Sequence, residues 1–167
     1  MVVIFEGINK MGKSTIIKTL AQRDPRIVVV KDNTINEVEE ADKRAFVKGG
    51  IYSAITLLNA ISAFDDKDKI FVFDRFHLTE YVYSMVKRGY TPHYIFDDID
   101  PLLANRGAKL VLMTDTLANV LGRNDPVAYD ELVNLQSAMN VAYISSGIHK
   151  MMARLPEIEK VYSFITW

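Results

Sequence analysis

The chain begins with a strand, a glycine-cornered loop and a helix in immediate succession. Residues 2–5 read Val-Val-Ile-Phe, which is typical of a short buried strand, and residues 7–14 then read G-x-x-x-x-G-K-S. Ile16, Ile17 and Leu20 follow with helical spacing. Because such a loop turns successive N–H groups inward at the start of a helix, this unit predicts a cradle for phosphate groups.

Individual residues of this loop suit the phosphates of a nucleoside triphosphate. Gly7 and Gly12 allow the backbone angles of the turn, Lys13 would reach the β- and γ-phosphates, and the Ser14 hydroxyl would bind Mg²⁺. The alternative is that the loop needs glycines for its backbone conformation and binds no phosphate. That interpretation leaves the Lys-Ser pair at the helix start unexplained. The residues expected to contact the triphosphate are Gly7, Asn9, Lys10, Met11, Gly12, Lys13, Ser14 and Thr15.

Bulk composition narrows the class of protein. The chain has 167 residues, no cysteine and a net charge of −1, so we expect one domain over residues 1–167 and a small-molecule partner rather than nucleic acid or a membrane. Glu6 interrupts the first apolar run, which argues against a signal peptide. Residues 49–64 are uncharged but shorter than the ~20 residues of a membrane span. We expect this segment to be a buried helix and the protein to be cytoplasmic.

Strand-like and helix-like segments alternate along the chain. After the first strand we predict strands at residues 27–30, 70–73, 109–113 and 160–165, and helices at 78–87, 94–105 and 130–152. In the helix at 94–105, Asp97, Asp98 and Asp100 are expected to face water. Such alternation predicts an α/β fold with a five-stranded parallel sheet and helices on both faces.

The end of the third strand carries polar residues suited to a phosphate site. Asp74 directly follows the apolar run, where a carboxylate can hold Mg²⁺ or its water shell, and Arg75 offers a charged fork for a phosphate. Asp74 could instead cap the following helix. Because ligands lie at the carboxyl ends of parallel strands, we expect Asp74 and the glycine-cornered loop to meet in one cleft.

Two further strand ends offer candidates. After the second strand, Lys31 could meet an acceptor phosphate and Asp32 could act as a general base or orient the acceptor, although surface polarity explains both equally well. After the fourth strand, Asp115 precedes Arg123, which we expect to belong to a short lid at about 115–130. The alternative for Arg123 is a solvated surface arginine.

Two motifs together resemble a known family. Residues 5–15, Phe-Glu-Gly-Ile-Asn-Lys-Met-Gly-Lys-Ser-Thr, are similar to the first motif of thymidylate kinases and their deoxynucleoside kinase relatives. Residues 74–83 resemble the thymidylate kinase pattern D-R-Y-x-x-S-x-x-A-Y, with Phe76 for Tyr, Thr79 for Ser and Val82 for Ala. The resemblance implies a P-loop NTPase fold and transfer of the γ-phosphoryl group of ATP, with Mg²⁺, to a deoxynucleoside 5′-monophosphate, dTMP above all.

The resemblance also implies roles for single residues. Arg75 would clamp the acceptor phosphate, Tyr83 would pack where a 2′-hydroxyl would sit, and Lys10 could assist the transferring group. Asn9 stands where thymidylate kinases carry Asp. The implied acceptor-binding residues are Asn9, Asp32, Arg75, Phe76, Thr79 and Tyr83, and the implied catalytic residues are Lys13, Asp74, Arg75 and Arg123. The family often forms dimers through helices, so a homodimer is a further expectation.

Departures from the family pattern keep other functions open. Residues 31–33 read Lys-Asp-Asn in place of Arg-Glu-Pro, and Arg123 is the one evident lid arginine, so the acceptor base is undetermined. In a deoxynucleoside kinase a 5′-hydroxyl attacks, and Asp32 or Asp74 could accept its proton. A GTPase-like switch is disfavoured because such proteins carry the pattern D-x-x-G after the third strand, whereas Asp74 is followed by Arg-Phe-His. A non-catalytic nucleotide-binding protein leaves the intact loop lysine and the Asp-Arg pair unexplained.

Overall fold

A computed structural model describes residues 1–31, 55–56, 68–123 and 128–167. Its sheet has five parallel strands in the order β2-β3-β1-β4-β5. The strands are β1 Val2–Glu6, β2 Ile27–Lys31, β3 Ile70–Asp74, β4 Lys109–Met113 and β5 His149–Ala153. The predicted α/β class and parallel sheet are therefore confirmed. Of the helix expected at 49–64 the structure describes residues 55 and 56, which are helical, with Ile55 buried. The rest of that segment and the candidate Asp32 lie outside the described residues.

β1 is the central strand of the sheet, and its apolar side chains suit that buried position. Val3, Ile4 and Phe5 are fully buried, as expected for a strand covered on both faces. The chain passes from β1 outward to β2 on one side and later crosses to β4 on the other side. This reversal makes the carboxyl end of β1 a switch point, where open α/β sheets bind ligands.

Helices pack in two groups against the sheet. They are α1 Lys13–Arg23, α2 His77–Arg88, α3 Asp100–Asn105, α4 Leu117–Leu121, α5 Tyr129–Ser145 and α6 Ile158–Thr166, with a π-helical turn at Ile95–Ile99 before α3. α1 packs with α6, whereas α2 packs with α5 and the π-helical turn. Arg23 of α1 pairs with Glu159 of α6 at 2.5 Å and lies 4.2 Å from the Tyr162 ring centroid. In the described part of the chain, no helix is long and apolar enough to cross a membrane.

The last third of the chain differs from the sequence-based prediction. The predicted strand at 160–165 is helix α6, because Val161 and Ile165 are four residues apart and both are buried on one helical face. The predicted helix at 130–152 ends at Ser145, and β5 takes up residues 149–153 as the edge strand. The residues of β5 are mostly exposed or half-buried, so the segment lacks the apolar run that would predict a strand. Asp100 was also wrongly expected to face water, since it is buried, whereas Asp97 and Asp98 are exposed.

Candidate functional site

The loop between β1 and α1 depends on three left-handed backbone positions. Gly7, Lys10 and Gly12 have φ values of 135°, 61° and 85°. A Cβ on Gly7 would lie 2.5 Å from the main-chain oxygen of Met113 at the end of β4. One on Gly12 would lie 2.9 Å from Cδ1 of Leu155, in the turn after β5. Glycine is thus required both by conformation and by the close approach of neighbouring segments.

Lys13 is a buried cation folded back onto its own loop. Its side chain is 4% exposed, and Nζ donates 2.7 Å hydrogen bonds to the carbonyl oxygens of Gly7 and Ile8. Burial, with the charge of Arg75 adding to it, lowers the pKa of Lys13 to about 7, although Asp74 and Glu6 act in the opposite direction. The ammonium group is therefore held at the floor of the loop, where an anionic ligand would stabilise its charge.

Ser14 and Asp74 come together although they lie on different elements. Ser14 is the second residue of α1 and Asp74 ends β3, and the Ser14 hydroxyl donates a 2.6 Å hydrogen bond to Asp74 Oδ2. Asp74 does not cap α2, whose N-cap residue is Phe76. The arrangement offers two adjacent oxygens of the kind that Mg²⁺ prefers. Among the described residues, no cluster of three or more His, Asp or Glu side chains could hold a metal ion by itself.

Arg75 reaches the loop from the turn after β3. Its φ is 73°, which is unusual for a non-glycine residue, and its N–H donates to the Phe5 carbonyl oxygen at 2.9 Å. Its guanidinium Nη2 donates to the Asn9 side-chain oxygen. The structure therefore places Arg75 and Asn9 side by side at the mouth of the loop, beside the Ser14–Asp74 pair.

Arg123 approaches the loop from the opposite side. Its guanidinium donates to the Lys10 carbonyl oxygen and, at 2.5 Å, to Asp115 Oδ2. Asp115 also accepts from the Asn119 amide and the Thr116 N–H, and these bonds together with Arg123 hold its pKa below the usual range. Arg123 is thus tethered at the loop rather than free in solvent.

Other sequence-predicted residues lie further along α2 or beneath the loop. The Phe76 ring packs 4.9 Å from the Phe73 ring centroid, and the Thr79 hydroxyl donates to Glu6. Tyr83 lies one turn beyond Thr79 and is half-buried. Met11 is buried under the loop, whereas Thr15 is exposed at the first turn of α1.

Glu6 is a residue that sequence reasoning missed. It ends β1, is 0% exposed, and accepts hydrogen bonds from the N–H groups of Phe76 and Leu78, both at 3.0 Å, and from the Thr79 hydroxyl. The signal was available, because a carboxylate directly after four buried apolar residues requires partners.

Comparison with known proteins supports the fold rather than a particular activity. The sequence matches no protein-family model and no curated protein. YorR from Bacillus subtilis, solved with phosphorylated GDP, is 14% identical with a TM-score of 0.68, covering 99% of this chain and 93% of that one. Thymidylate kinase from Ehrlichia chaffeensis is 13% identical with a TM-score of 0.67, covering 98% of each chain.

A third solved structure is that of a deoxyadenosine kinase. Deoxyadenosine kinase from M. mycoides, with dCMP and dCDP bound, is 14% identical with a TM-score of 0.56 and covers 99% of this chain and 96% of that one. Identities this low show a common fold and leave the substrate open. The chain has the fold shared by these P-loop nucleotide and deoxynucleoside kinases.

Proposed function

We propose that this chain is a deoxynucleoside monophosphate kinase, which transfers the γ-phosphoryl group of ATP to a 5′-monophosphate, with dTMP as the first candidate. The observation that carries the proposal is the position of Arg75. Its guanidinium donates to the side chain of Asn9 within the phosphate loop, and the preceding residue, Asp74, accepts from Ser14 at the start of α1. A planar, permanently charged fork in this place suits an acceptor that already bears a phosphate.

Phosphoryl transfer of this kind requires positioning and charge neutralisation more than acid–base chemistry. Lys13 and the loop N–H groups would hold the donor phosphates, and Arg75 would hold the acceptor phosphate in line. Ser14 and Asp74 would hold Mg²⁺, which when bound neutralises charge on the donor phosphates. We also propose that Arg123 belongs to a short lid at about 115–130 of a single domain, and contacts the transferring group from the side opposite Arg75.

A deoxynucleoside kinase is the second candidate, because one structural neighbour is a deoxyadenosine kinase. This reaction needs a carboxylate that can accept the proton of the 5′-hydroxyl. Three carboxylates lie beside the loop in the described residues, and each already accepts a hydrogen bond: Glu6 from α2, Asp74 from Ser14 and Asp115 from Arg123. Asp32, the other candidate base, lies outside the described residues. The monophosphate reaction remains the first candidate because its nucleophile is already anionic and needs no base.

A product-resolved assay tests the proposal. ATP and Mg²⁺ are incubated with each deoxynucleoside and each 5′-monophosphate, and products are separated by chromatography. We expect diphosphate from one or more monophosphates and a loss of at least about 100-fold in the Lys13→Ala variant. Lys18→Ala is the matched control, because Lys18 lies on the exposed side of the same helix. Monophosphate formed from a nucleoside would instead establish the second candidate.

A further inference from the structure

The buried carboxylate of Glu6 connects the two halves of the candidate site. Glu6 is the last residue of β1, and Gly7, the first residue of the phosphate loop, follows it directly. Its side chain crosses to the neighbouring element, where Oε1 accepts from the Phe76 and Leu78 N–H groups and Oε2 accepts from Thr79. A single residue therefore holds both the start of the loop and the start of α2.

These contacts replace a missing helix cap. The N-cap residue of α2 is Phe76, which has no side chain that can accept from the first turn. Exposed N–H groups at a helix start are normally satisfied by a side-chain oxygen from the N-cap residue itself. Here the oxygen comes from β1, and its negative charge also meets the positive end of the helix dipole.

The turn held in this way is the one that carries Arg75. The N–H of Arg75 is bound by the Phe5 carbonyl and the next N–H, that of Phe76, is bound by Glu6. Between these two anchors Arg75 has a φ of 73°, a conformation that costs a non-glycine residue free energy and persists only when neighbouring contacts fix it. The anchor at Glu6 supplies one side of that fixation.

We propose that Glu6 is a positioning residue, which holds the turn after β3 so that the Arg75 guanidinium stays at the mouth of the phosphate loop. The proposal rests on the proposed function, in which Arg75 clamps the acceptor phosphate. It assigns Glu6 no part in proton transfer, because both of its oxygens are occupied by donors from α2.

A double-mutant cycle separates this role from a purely structural one. The variants are Glu6→Ala, Arg75→Met and the double variant, with kcat and KM for the monophosphate and the urea midpoint measured for each. We expect Glu6→Ala to raise KM and to lower kcat/KM by on the order of 100-fold. In the Arg75→Met background the same change should lower kcat/KM by less than about threefold, since the group it positions is gone.

Two further variants serve as controls. Glu6→Gln keeps an oxygen for the α2 N–H groups and should recover most of the kcat/KM lost in Glu6→Ala. Glu80→Gln alters another buried carboxylate, which lies on α2 itself and whose partners Ser84 and Arg88 lie toward the other end of that helix. Glu80→Gln should lower the urea midpoint. Its effect on KM should be the same in the wild-type and the Arg75→Met backgrounds.

The outcomes separate this inference from the proposed function. Equal losses of kcat/KM from Glu6→Ala in both backgrounds would overturn the positioning role, even if the enzyme is a monophosphate kinase.

If wild type forms no diphosphate, the proposed function fails, and amide hydrogen exchange then decides the structural part. Faster exchange at Phe76 and Leu78 in Glu6→Ala than in Glu6→Gln and Glu80→Gln supports the anchor, and equal exchange in all three variants refutes it. If Glu6→Ala does not fold, the same cycle is run with Glu6→Gln, where a smaller loss that vanishes in the Arg75→Met background is expected.

Discussion

Lys13 is a buried cation whose hydrogen bonds go to main-chain carbonyls of its own loop. Because its pKa is lowered to about 7, the ligand-free protein carries this side chain largely uncharged in mildly alkaline solution. Phosphate oxygens would favour the ammonium form and raise its pKa again. Binding of a triphosphate should therefore be linked to the uptake of a proton.

We predict that triphosphate binding takes up close to one proton at about pH 8. Titration calorimetry in buffers of different ionisation enthalpy measures this number from the slope of the observed heats. At about pH 6 Lys13 is already protonated in the free protein, so the same slope should be near zero and serves as the control. Equal slopes at both values would show that Lys13 does not change its charge on binding.

The Asp115–Arg123 pair yields a second prediction at this scale. Asp115→Asn keeps the shape of the side chain but removes the charge that holds the Arg123 guanidinium over the loop. We expect kcat to fall by roughly three- to tenfold, a modest loss because the pair is partly exposed to solvent. Asn119→Ala is the control, since it deletes another hydrogen bond to Asp115 and leaves the charge in place. A loss of equal size in both variants would argue against the ionic tether.

At the scale of elements, the two loop glycines should differ in how their replacement can be relieved. A methyl group on Gly12 meets a movable Leu155 side chain, whereas one on Gly7 meets the backbone of β4. We expect Gly12→Ala to lower the free energy of unfolding by about 1–2 kcal/mol and Gly7→Ala to lower it further. Urea denaturation of each variant, alone and with Leu155→Ala, measures this difference.

The cycle with Leu155→Ala has a definite expected sign. Removal of the leucine side chain should recover part of the loss in Gly12→Ala, because the steric conflict ends while the strain of φ 85° remains. It should recover nothing in Gly7→Ala. Equal recovery in both would show that the two close contacts do not act separately.

Strong local patterns made most of the fold predictable. Val2–Glu6, Ile70–Asp74 and Lys109–Met113 are apolar runs bounded by polar residues, and they form the three central strands. His149–Ala153, one of the two edge strands, has no such run, which an edge position tolerates but does not require, since the other edge strand, Ile27–Lys31, is largely apolar. The segment 160–165 was misassigned because its short apolar stretch fits a strand as well as a helix when its flanks are ignored.

The sequence predicted those parts of the candidate site that belong to motifs. Ser14 and Asp74 are 60 residues apart, and their contact followed from the rule that strand ends converge. The role of Glu6 was not predicted, because the partners of its Oε1 atom are main-chain N–H groups, which no sequence motif displays. Roles that depend on backbone geometry, including the positive φ of Arg75, require the folded structure.

At the scale of the whole molecule, Asp100 joins three elements in the interior. It accepts from Ser146 Oγ and Gly147 N–H before β5 and contacts His77 Nε2 of α2 at 3.0 Å, while it begins α3 itself. Burial alone would raise its pKa, but the hydrogen bonds from His77, Ser146 and Gly147 prevail and lower it. A carboxyl with a lowered pKa in the folded state stabilises that state above its unfolded pKa, and the contribution is lost as pH falls through the folded value.

We therefore predict that Asp100→Asn lowers the free energy of unfolding at neutral pH by about 1–3 kcal/mol. The difference from wild type should shrink as pH falls below about 4, where Asp100 is protonated in the unfolded chain, and should be lost below the lowered pKa of Asp100 in the folded protein. Urea denaturation at neutral and acid pH measures both values. Asp97→Asn, at an exposed position nearby, should show little change. A deficit of constant size across pH would assign the role of Asp100 to shape rather than charge.

The contact of Gly12 with Leu155 has a consequence for how the protein is made. The loop between β1 and α1 is synthesised before the turn that packs on it and before Glu159, which pairs with α1. Domains complete their packing only when all contacting segments are available. Until those later segments emerge, the nascent chain therefore carries the loop without the contacts that shape it, and the loop completes its packing only after they are present.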